Sequence, residues 1–583
     1  MNTISASVNA SSIIYTISNK QKSINSDIIL IIFNGKGTII YSTHDILMKE
    51  LYNILFYTNN NCYILIIQRK KQINNDQILS SLFFYDDIKR DDICVVLYKK
   101  TDNKYNILSS VSSYTIIEFH YNIPFLLSTD MNVLCILDEF SYNCFKYECN
   151  LIPIDFTKWV KQIALVKPNM LFVESVWNAV GSRFTFSTPL HINTLTNIIN
   201  YCSYNNIPTI FWNKEDDIKY NHFLKFALMF DIILTTDIRC VPRYKTEQSN
   251  KKNIVDCLEF ACQPMIHNPL NQSREKDVFF AGRWYTDYPE RNLQIENLIN
   301  IPEFKNEYHL DIFDRYFVDV SSFPSKYSRM VKPKLTYAGV NQVANNYKIM
   351  FNVNTITESN TMFSRRVYEG LASGCCIIST MSVGIETKFK DIVYISKNMN
   401  DTTRLLKHIL NDSMTEHLSF LSHRSVIKTD NYKVRFKKIL DIAKISYDND
   451  DDSLVSVISY YTGLNTQDTL RHFIKCILNQ SYINCVITIF VETDDIMTVL
   501  TKLFKNDNIL FVLVNNEEYT MEIMKNIYIA KLDINASYDN NYISDSLLPF
   551  LYIDPSIKKI GGVDRYSYNY ISDPSEYATF YRK

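Results

Sequence analysis

The sequence predicts an α/β protein built on doubly wound parallel sheets, on three observations. From about residue 130, short apolar runs at 133–137, 170–173, 209–212 and 231–235 alternate with helical periodicity at 194–204 and 220–229. The alternation restarts with runs at 277–281, 309–313, 349–354, 375–379 and 392–396, and helical stretches at 402–410 and 432–445 close it. Third, Met362-Phe363-Ser364-Arg365-Arg366-Val367-Tyr368-Glu369-Gly370-Leu371-Ala372-Ser373-Gly374 reads as a helix with two arginines in its first turn and a glutamate one turn later. Gly374 stops that helix and a short apolar strand follows, a pairing that belongs to an α/β sheet.

Composition bounds the rest. At 583 residues and 46% hydrophobic side chains, the chain has room for roughly three or four domains with large cores. The balance of 61 basic against 62 acidic residues argues against a nucleic-acid coat or a polybasic membrane arm. Only 11 glycines occur, and Gly282, Gly339, Gly370, Gly374 and Gly384 crowd into one region, which marks it as the place where backbone must turn tightly or meet a ligand. The 13 cysteines form one adjacent pair, Cys375-Cys376, but no CxxC spacing and no pairing with histidine, so no metal site or disulfide framework is expected. Reduced thiols, a first stretch at 1–19 unlike a signal peptide, and apolar runs too short to span a bilayer lead to the expectation of a soluble cytoplasmic protein without a transmembrane segment.

In chain order, residues 1–128 read as a β-rich accessory domain, with runs at 27–33, 37–41, 62–68, 93–98 and 114–120 and one helical stretch at 45–57. The first α/β unit, 129–272, puts polar clusters after its strands: Glu174-Ser175, then Asn213-Lys214-Glu215-Asp216-Asp217, then Thr235-Thr236-Asp237. Each suits a turn or helix cap, but three at successive strand ends describe one cleft, because doubly wound sheets bind ligands beyond their carboxyl ends. The second unit, 273–447, opens with Gly282-Arg283 after its first strand, continues with Asp314-Arg315 and ends another strand in Asn352-Val353-Asn354-Thr355. Arg365 and Arg366 at a helix N-terminus suit a diphosphate, and Glu369 suits two ribose hydroxyls; the same residues also fit the solvated face of an ordinary amphipathic helix. Two such units in tandem read as a two-lobed enzyme with a ligand in the cleft between them.

Leu137-Asp138-Glu139-Phe140-Ser141, Leu171-Phe172-Val173-Glu174-Ser175-Val176-Trp177, Ile207-Pro208-Thr209-Ile210-Phe211-Trp212-Asn213, His267-Asn268-Pro269, Val278-Phe279-Phe280-Ala281-Gly282 and the 361–369 stretch together resemble the CgeB-like (spore maturation protein) glycosyltransferases. The resemblance implies a GT-B fold of two Rossmann-like lobes, an acceptor-side lobe followed by one that binds a nucleotide-sugar, with no metal and no separate cofactor. The donor would be UDP-, GDP- or dTDP-linked and the acceptor a polysaccharide, a protein or a small molecule. In the wider GT-B group, two glutamates eight positions apart contact the donor; Glu369 matches the second, whereas Thr361 stands where the first should be. That departure leaves the donor sugar and the stereochemical course open.

The resemblance and the residues thus give a donor-binding set of Gly282, Arg283, Arg315, Asn354, Thr361, Ser364, Arg365, Arg366 and Glu369. Transfer builds charge on the leaving diphosphate, and the arginines are suited to it. An inverting reaction also needs a base, for which Glu215 and Asp216 come first, followed by Asp237 and Glu174. After an acidic linker at 448–452, residues 453–583 resemble the start of a GT-A domain of the glycosyltransferase-2 type, with a strand at 454–460, a helix at 466–478 and a strand at 486–491. Its Asp-x-Asp segment is here Asp533-Ile534-Asn535, an amide where a metal-binding carboxylate belongs, so a truncated, inactive module for partner or substrate contact is expected, with Gly561-Gly562 in a loop. A nucleotide-sugar epimerase of the GT-B type and a non-catalytic sugar-nucleotide-binding scaffold are the alternatives.

Overall fold

A computed structural model describes five strands within 28–109 and the chain from Met131 onward, except 182–183, 248–252, 271–273, 316–320, 412–414, 448–452, 507, 517–527, 554–558, 562–577 and 583. The expected helix at 45–57, the run at 114–120, the stretch 1–19, the linker 448–452 and Gly562 lie outside the described residues. The chain divides into two compact units, Met1–Ile210 and Phe211–Lys583.

In the first unit, β1 (Ile28–Asn34), β2 (Gly37–Ser42), β3 (Tyr63–Arg69), β4 (Ile93–Thr101) and β5 (Lys104–Ser109) form an antiparallel sheet in the order β2-β1-β3-β4-β5. β5 was not expected, because Lys104 and Asn106 interrupt its apolar pattern. A parallel group follows, with β6 (Asn132–Ile136) between β7 (Asn150–Pro153) and β8 (Met170–Glu174). The helix Pro189–Tyr204 buries Leu195, Ile198, Ile199 and Cys202, one stripe at helical spacing.

The division between the units falls inside β9 (Thr209–Asn213). Beyond it come β10 (Ile232–Thr235) and β11 (Ile254–Cys257), which pair in parallel. The next sheet contains β12 (Lys276–Gly282), β13 (Leu310–Asp314), β14 (Val331–Lys332), β15 (Tyr347–Asn352), β16 (Cys376–Ser379) and β17 (Val393–Ile395), all parallel. Its order, β14-β13-β12-β15-β16-β17, is that of a doubly wound dinucleotide-type sheet, and it reverses between β12 and β15. Near-continuous apolar strands pack here because both faces are covered: Val278, Phe280, Ile349, Phe351 and Ile378 meet Leu298 and Leu406 in one core, and the alternating Phe279, Met350 and Ile377 are buried as well. The sheet therefore opens its crevice at the carboxyl ends of β12 and β15, where Gly282 and Asn354 follow.

The helix Tyr432–Ala443 returns to the strands that precede this sheet. Lys438 Nζ donates to the Cys257 carbonyl at 2.7 Å, and Arg435 donates to the carbonyls of Glu259 and Phe260 at 3.2 and 3.1 Å. The last sheet, β18 (Val455–Tyr461), β19 (Cys485–Val491), β20 (Ile509–Leu513), β21 (Tyr528–Leu532), β22 (Lys559–Gly561) and β23 (Ala578–Arg582), runs β20-β19-β18-β21-β23-β22. Its first four strands in that order are parallel, while β23 runs antiparallel to both β21 and β22. Gly561 ends β22 and is not a loop residue, since backbone pairing with Thr579 holds it extended. Arg424 clamps the Asp545 carboxylate with two hydrogen bonds, from Nε at 2.9 Å and from Nη2, and so fastens this module to the helix Thr415–Ile427.

Candidate functional site

The carboxyl ends of β12 and β13 gather arginines. β12 ends at Gly282, where a Cβ would come within 2.5 Å of the Phe280 ring, so the backbone turns on a residue without a side chain. Arg315, just after β13, donates its backbone N–H to the Gly282 carbonyl at 2.8 Å. Arg366 reaches back with Nη1 to the Ala281 carbonyl at 2.5 Å. Arg291, from the helix Pro289–Ile299, donates to the Arg283 carbonyl at 2.8 Å. The Tyr285 ring lies 5.1 Å from each of the Arg283 and Arg291 guanidiniums, close enough for cation–π attraction. Burial first, and then the neighbouring charges of Arg365, Arg315 and Arg291 against the opposing pull of Glu369, push Arg366 down to about 10. The Glu369 carboxylate offsets part of that repulsion.

The helix expected from 362 onward is shorter than its sequence implies, spanning Arg366–Ala372 with Arg365 at its N-cap. The preceding turn is held open by side chains: Phe363 stacks on Tyr368 at 5.2 Å, and Ser364 N donates to Asn354 Oδ1 at 3.2 Å. Asn354, almost fully buried, also donates Nδ2 to Ser379 Oγ and the Thr380 carbonyl, so it ties the ends of two strands to the helix start. With only two turns of helix, the positive character comes from the guanidiniums and not from a helix dipole. Glu369 is buried; Arg365 Nη1 donates to its Oε1, and His267 Nε2 lies 4.0 Å from the same oxygen. Burial raises the Glu369 carboxyl, but Arg365, His267 and Arg366 outweigh it and hold the group ionised below its usual range.

Thr361 is half-buried. Its Oγ1 donates to the Thr236 carbonyl at 2.8 Å and accepts from Ile238 N at 2.9 Å, which ties the loop before the arginine helix to the loop after β10. Ser359 Oγ reinforces the tie by donating to Asp237 Oδ1 at 2.8 Å. Asp237 is also gripped by Arg239, whose Nη2 lies 2.6 Å from Oδ2. Burial works against its ionisation, yet Arg239 and Ser359 keep its carboxyl below the usual range.

The candidate bases separate sharply by burial: Glu174, Asp216 and Asp237 are each 0% exposed, whereas Glu215 is half-buried. Glu174 Oε1 accepts from Asp138 N at 2.5 Å at the carboxyl end of β8. Asp216 accepts from Asn213 Nδ2 at 2.7 Å, Thr235 Oγ1 at 2.6 Å and Tyr244 OH at 3.0 Å. Burial raises Asp216 to about 7, against the opposing hydrogen bonds of Thr235 and Tyr244. Sequence reading thus ranked Asp216, Asp237 and Glu174 by charge and position, but their carboxylates are enclosed and hold strand ends together. Glu215 alone of the four reaches solvent.

Sequence reading missed Arg291, Tyr337, Ser359 and Arg239. Arg291 lies two positions after a helix-opening Pro289, an ordinary setting for a solvated charge, and only the return of that helix to Arg283 gives it meaning. In the C-terminal module, Asp533 Oδ1 accepts from Asn535 N and Nδ2, and Asn465 Nδ2 donates to Asn535 Oδ1 at 3.0 Å. Among the described residues no three His, Cys, Asp or Glu side chains are grouped to hold a metal ion, and no helix is long and apolar enough to cross a membrane.

The family described as glycosyl transferase-like matches residues 306–441. No curated protein matches the chain. Among solved structures, the crystal structure of TarM is 11% identical, covering 75% of this chain and 82% of that one, with a TM-score of 0.33. An alpha-glucosyltransferase in complex with UDP is 10% identical over 50% of this chain and 86% of that one, with a TM-score of 0.38. The S. aureus MnaA–UDP structure is 10% identical over 55% and 99%, with a TM-score of 0.31. Scores this low transfer no residue's role. The family match covers Arg315, Arg365, Arg366 and Glu369, and it puts a glycosyltransferase domain, hence a transferase enzyme, on the lobe that carries the arginine cluster.

Proposed function

We propose that this chain transfers a sugar from a nucleotide-sugar to an acceptor by a GT-B mechanism in which guanidinium groups, not a metal ion, carry the leaving diphosphate. One observation supports it above the others: Arg366 lies near the reversal point of a doubly wound sheet, where burial first and then the charges of Arg365, Arg315 and Arg291 depress it, and Arg291 also donates to the carbonyl of Arg283, which follows Gly282. As the glycosidic bond breaks, negative charge grows on the β-phosphate, and fixed donors aimed there stabilise it without reorganising. Glu369 takes the ribose hydroxyls as an ionised acceptor. Thr361 and Asn354 serve by fixing the loop that presents Ser364 and Arg365, and Glu215 is the base for an inverting course. Residues 1–128 act as an accessory domain. Residues 453–583, a truncated GT-A-like module whose Asp533 is occupied by Asn535, serve contact with a partner or substrate. The CgeB-like affinity and a cytoplasmic setting complete the reading; among the described residues Cys135, Cys257 and Cys375 are buried free thiols, which persist where the medium is reducing.

The enclosed state of Glu174, Asp216 and Asp237 favours a second reading, a nucleotide-sugar-binding scaffold. Incubation with UDP-, GDP- and dTDP-sugars, measuring bound and released nucleoside diphosphate, separates the two. Release that falls about 10²-fold in Arg366→Ala and in Glu369→Ala supports the transferase. Binding without release supports the scaffold, an isomerised donor supports an epimerase, and absence of both binding and release overturns the nucleotide-sugar reading.

A further inference from the structure

The arginine helix, Arg366–Ala372, is held at both ends. At its start Arg366 donates to the Ala281 carbonyl and Ser364 N to Asn354 Oδ1. A helix also leaves its last carbonyls without partners of its own. Here side chains take them: the Ala372 carbonyl accepts from His423 Nδ1 at 2.6 Å, the Ser373 carbonyl from Arg274 Nη2, and the Gly374 carbonyl from Ser419 Oγ. A carbonyl only accepts, so the His423 nitrogen facing it carries the proton. Burial pushes His423 down to about 4, which makes the ring an uncharged donor near neutral pH. Ser419 and His423 stand one turn apart on the helix Thr415–Ile427, and both are almost fully buried.

The same helix also meets the C-terminal module. The His423 ring packs edge to face on Tyr552, with centroids 5.5 Å apart, and Arg424, the next residue, donates to Asp545 from Nε at 2.9 Å and from Nη2. Asp545 belongs to the short helix Tyr542–Leu547, whose Ile543 N donates to Gln480 Oε1 at 2.9 Å, so the carboxylate is fixed within the module's own fold. Burial raises the Asp545 carboxyl, and Arg424 offsets only part of that rise. Such a buried pair adds little stability over apolar side chains of equal volume, but its paired bonds fix position.

We infer that the helix Thr415–Ile427 is a brace through which the C-terminal module positions the arginine helix, with His423 as the positioning residue at the Ala372 carbonyl and Arg424 as its tie to Asp545. Residues 453–583 thereby act on the donor lobe, besides any contact with a partner or substrate. Glu369 lies less than one turn before Ala372, so a shift at that carbonyl carries the carboxylate with it. The consequence for donor affinity rests on the proposed function; the brace itself does not.

Amide hydrogen exchange of the full chain tests the brace without any ligand. In Asp545→Asn and in His423→Leu, exchange across Arg366–Ala372 is expected to rise about tenfold relative to β12 and β15, the worth of one lost hydrogen bond. His423→Asn, whose amide N–H replaces the one on Nδ1, keeps the wild-type rate. Tyr552→Leu raises exchange about threefold, by loss of the ring contact, and serves if Asp545→Asn fails to fold. Calorimetric affinity for UDP and GDP is expected to fall in the same order. The inference is overturned if Asp545→Asn and Tyr552→Leu leave the helix at its wild-type rate, if His423→Asn loses as much as His423→Leu, or if exchange in β12 and β15 rises in step with the helix, as a purely structural role requires. A helix that loosens while both diphosphates keep their affinity overturns its consequence for the donor. Wild-type protein that binds neither diphosphate overturns the proposed function and leaves the exchange result standing.

Discussion

Asp216→Asn tests whether the enclosed carboxylates are structural. In the folded chain Asp216 is raised from 3.8 to about 7, chiefly by burial. Between those values the folded state keeps a proton that the unfolded state has released, so stability falls as pH rises, by about 1.36 kcal/mol per unit. The contribution is therefore fully present below pH ~4 and lost as pH passes ~7. From pH 5 to pH 7 the wild type should lose about 2 kcal/mol that the variant keeps, because asparagine resembles the protonated acid and has no charge to bury. The local bonds permit the exchange: Asn213 and Tyr244 still find an oxygen, and Thr235 Oγ1, 3.4 Å from the Asp237 carbonyl, can turn its proton there. Urea unfolding of both proteins on the same transition, across pH 5 to 8, measures the difference, and other titrating groups cancel because they are shared. Sugar transfer by the variant should stay within about threefold of wild type. Parallel stability curves would refute the buried-proton argument, and a loss of transfer of ~10²-fold or more in a folded variant would make Asp216 the base after all.

Two further outcomes follow from the packing. Gly282→Ala places a methyl group against the core Phe280 ring and should lower stability by about 1 to 3 kcal/mol, read as a drop in Tm; unchanged stability would mean that the first turn of the sheet gives way easily. Thr361→Val removes a hydroxyl that both donates and accepts, and should cost about 1 kcal/mol while raising donor KM more than it lowers kcat, since the loop bearing Arg365 loosens. A selective fall in kcat that depends on the donor sugar would instead assign Thr361 to the sugar.

Much of the donor lobe is legible in the chain. Apolar runs alternate with 3.6-residue periodicity, glycines concentrate between 282 and 384, and arginines stand directly after strands. These signals are local, and local signals survive because a parallel strand buried on both faces needs a continuous apolar run. What escaped was side-chain direction. The start of the arginine helix moved because Phe363 found Tyr368 and Ser364 found Asn354, contacts that span up to ten positions and that no periodicity encodes. The short strands β7 and β14 escaped as well, β14 being two residues long, below the length at which a pattern exists.

The sequence by itself determined the α/β class, the tandem of parallel sheets and the arginine-bearing stretch with Glu369 one turn after Arg365, because each depends on residue spacing within a single element. Only the tertiary structure decided which charged groups face one another. It brought Arg291 and Arg315 to Arg366, gave Thr361 to the loop after β10, enclosed Asp216 and Asp237, and set His267 beside Glu369. Charge type is written in one residue, whereas burial and partner depend on chain segments tens to more than a hundred positions apart, and those two quantities decide whether a carboxylate is a base, an acceptor or a strut.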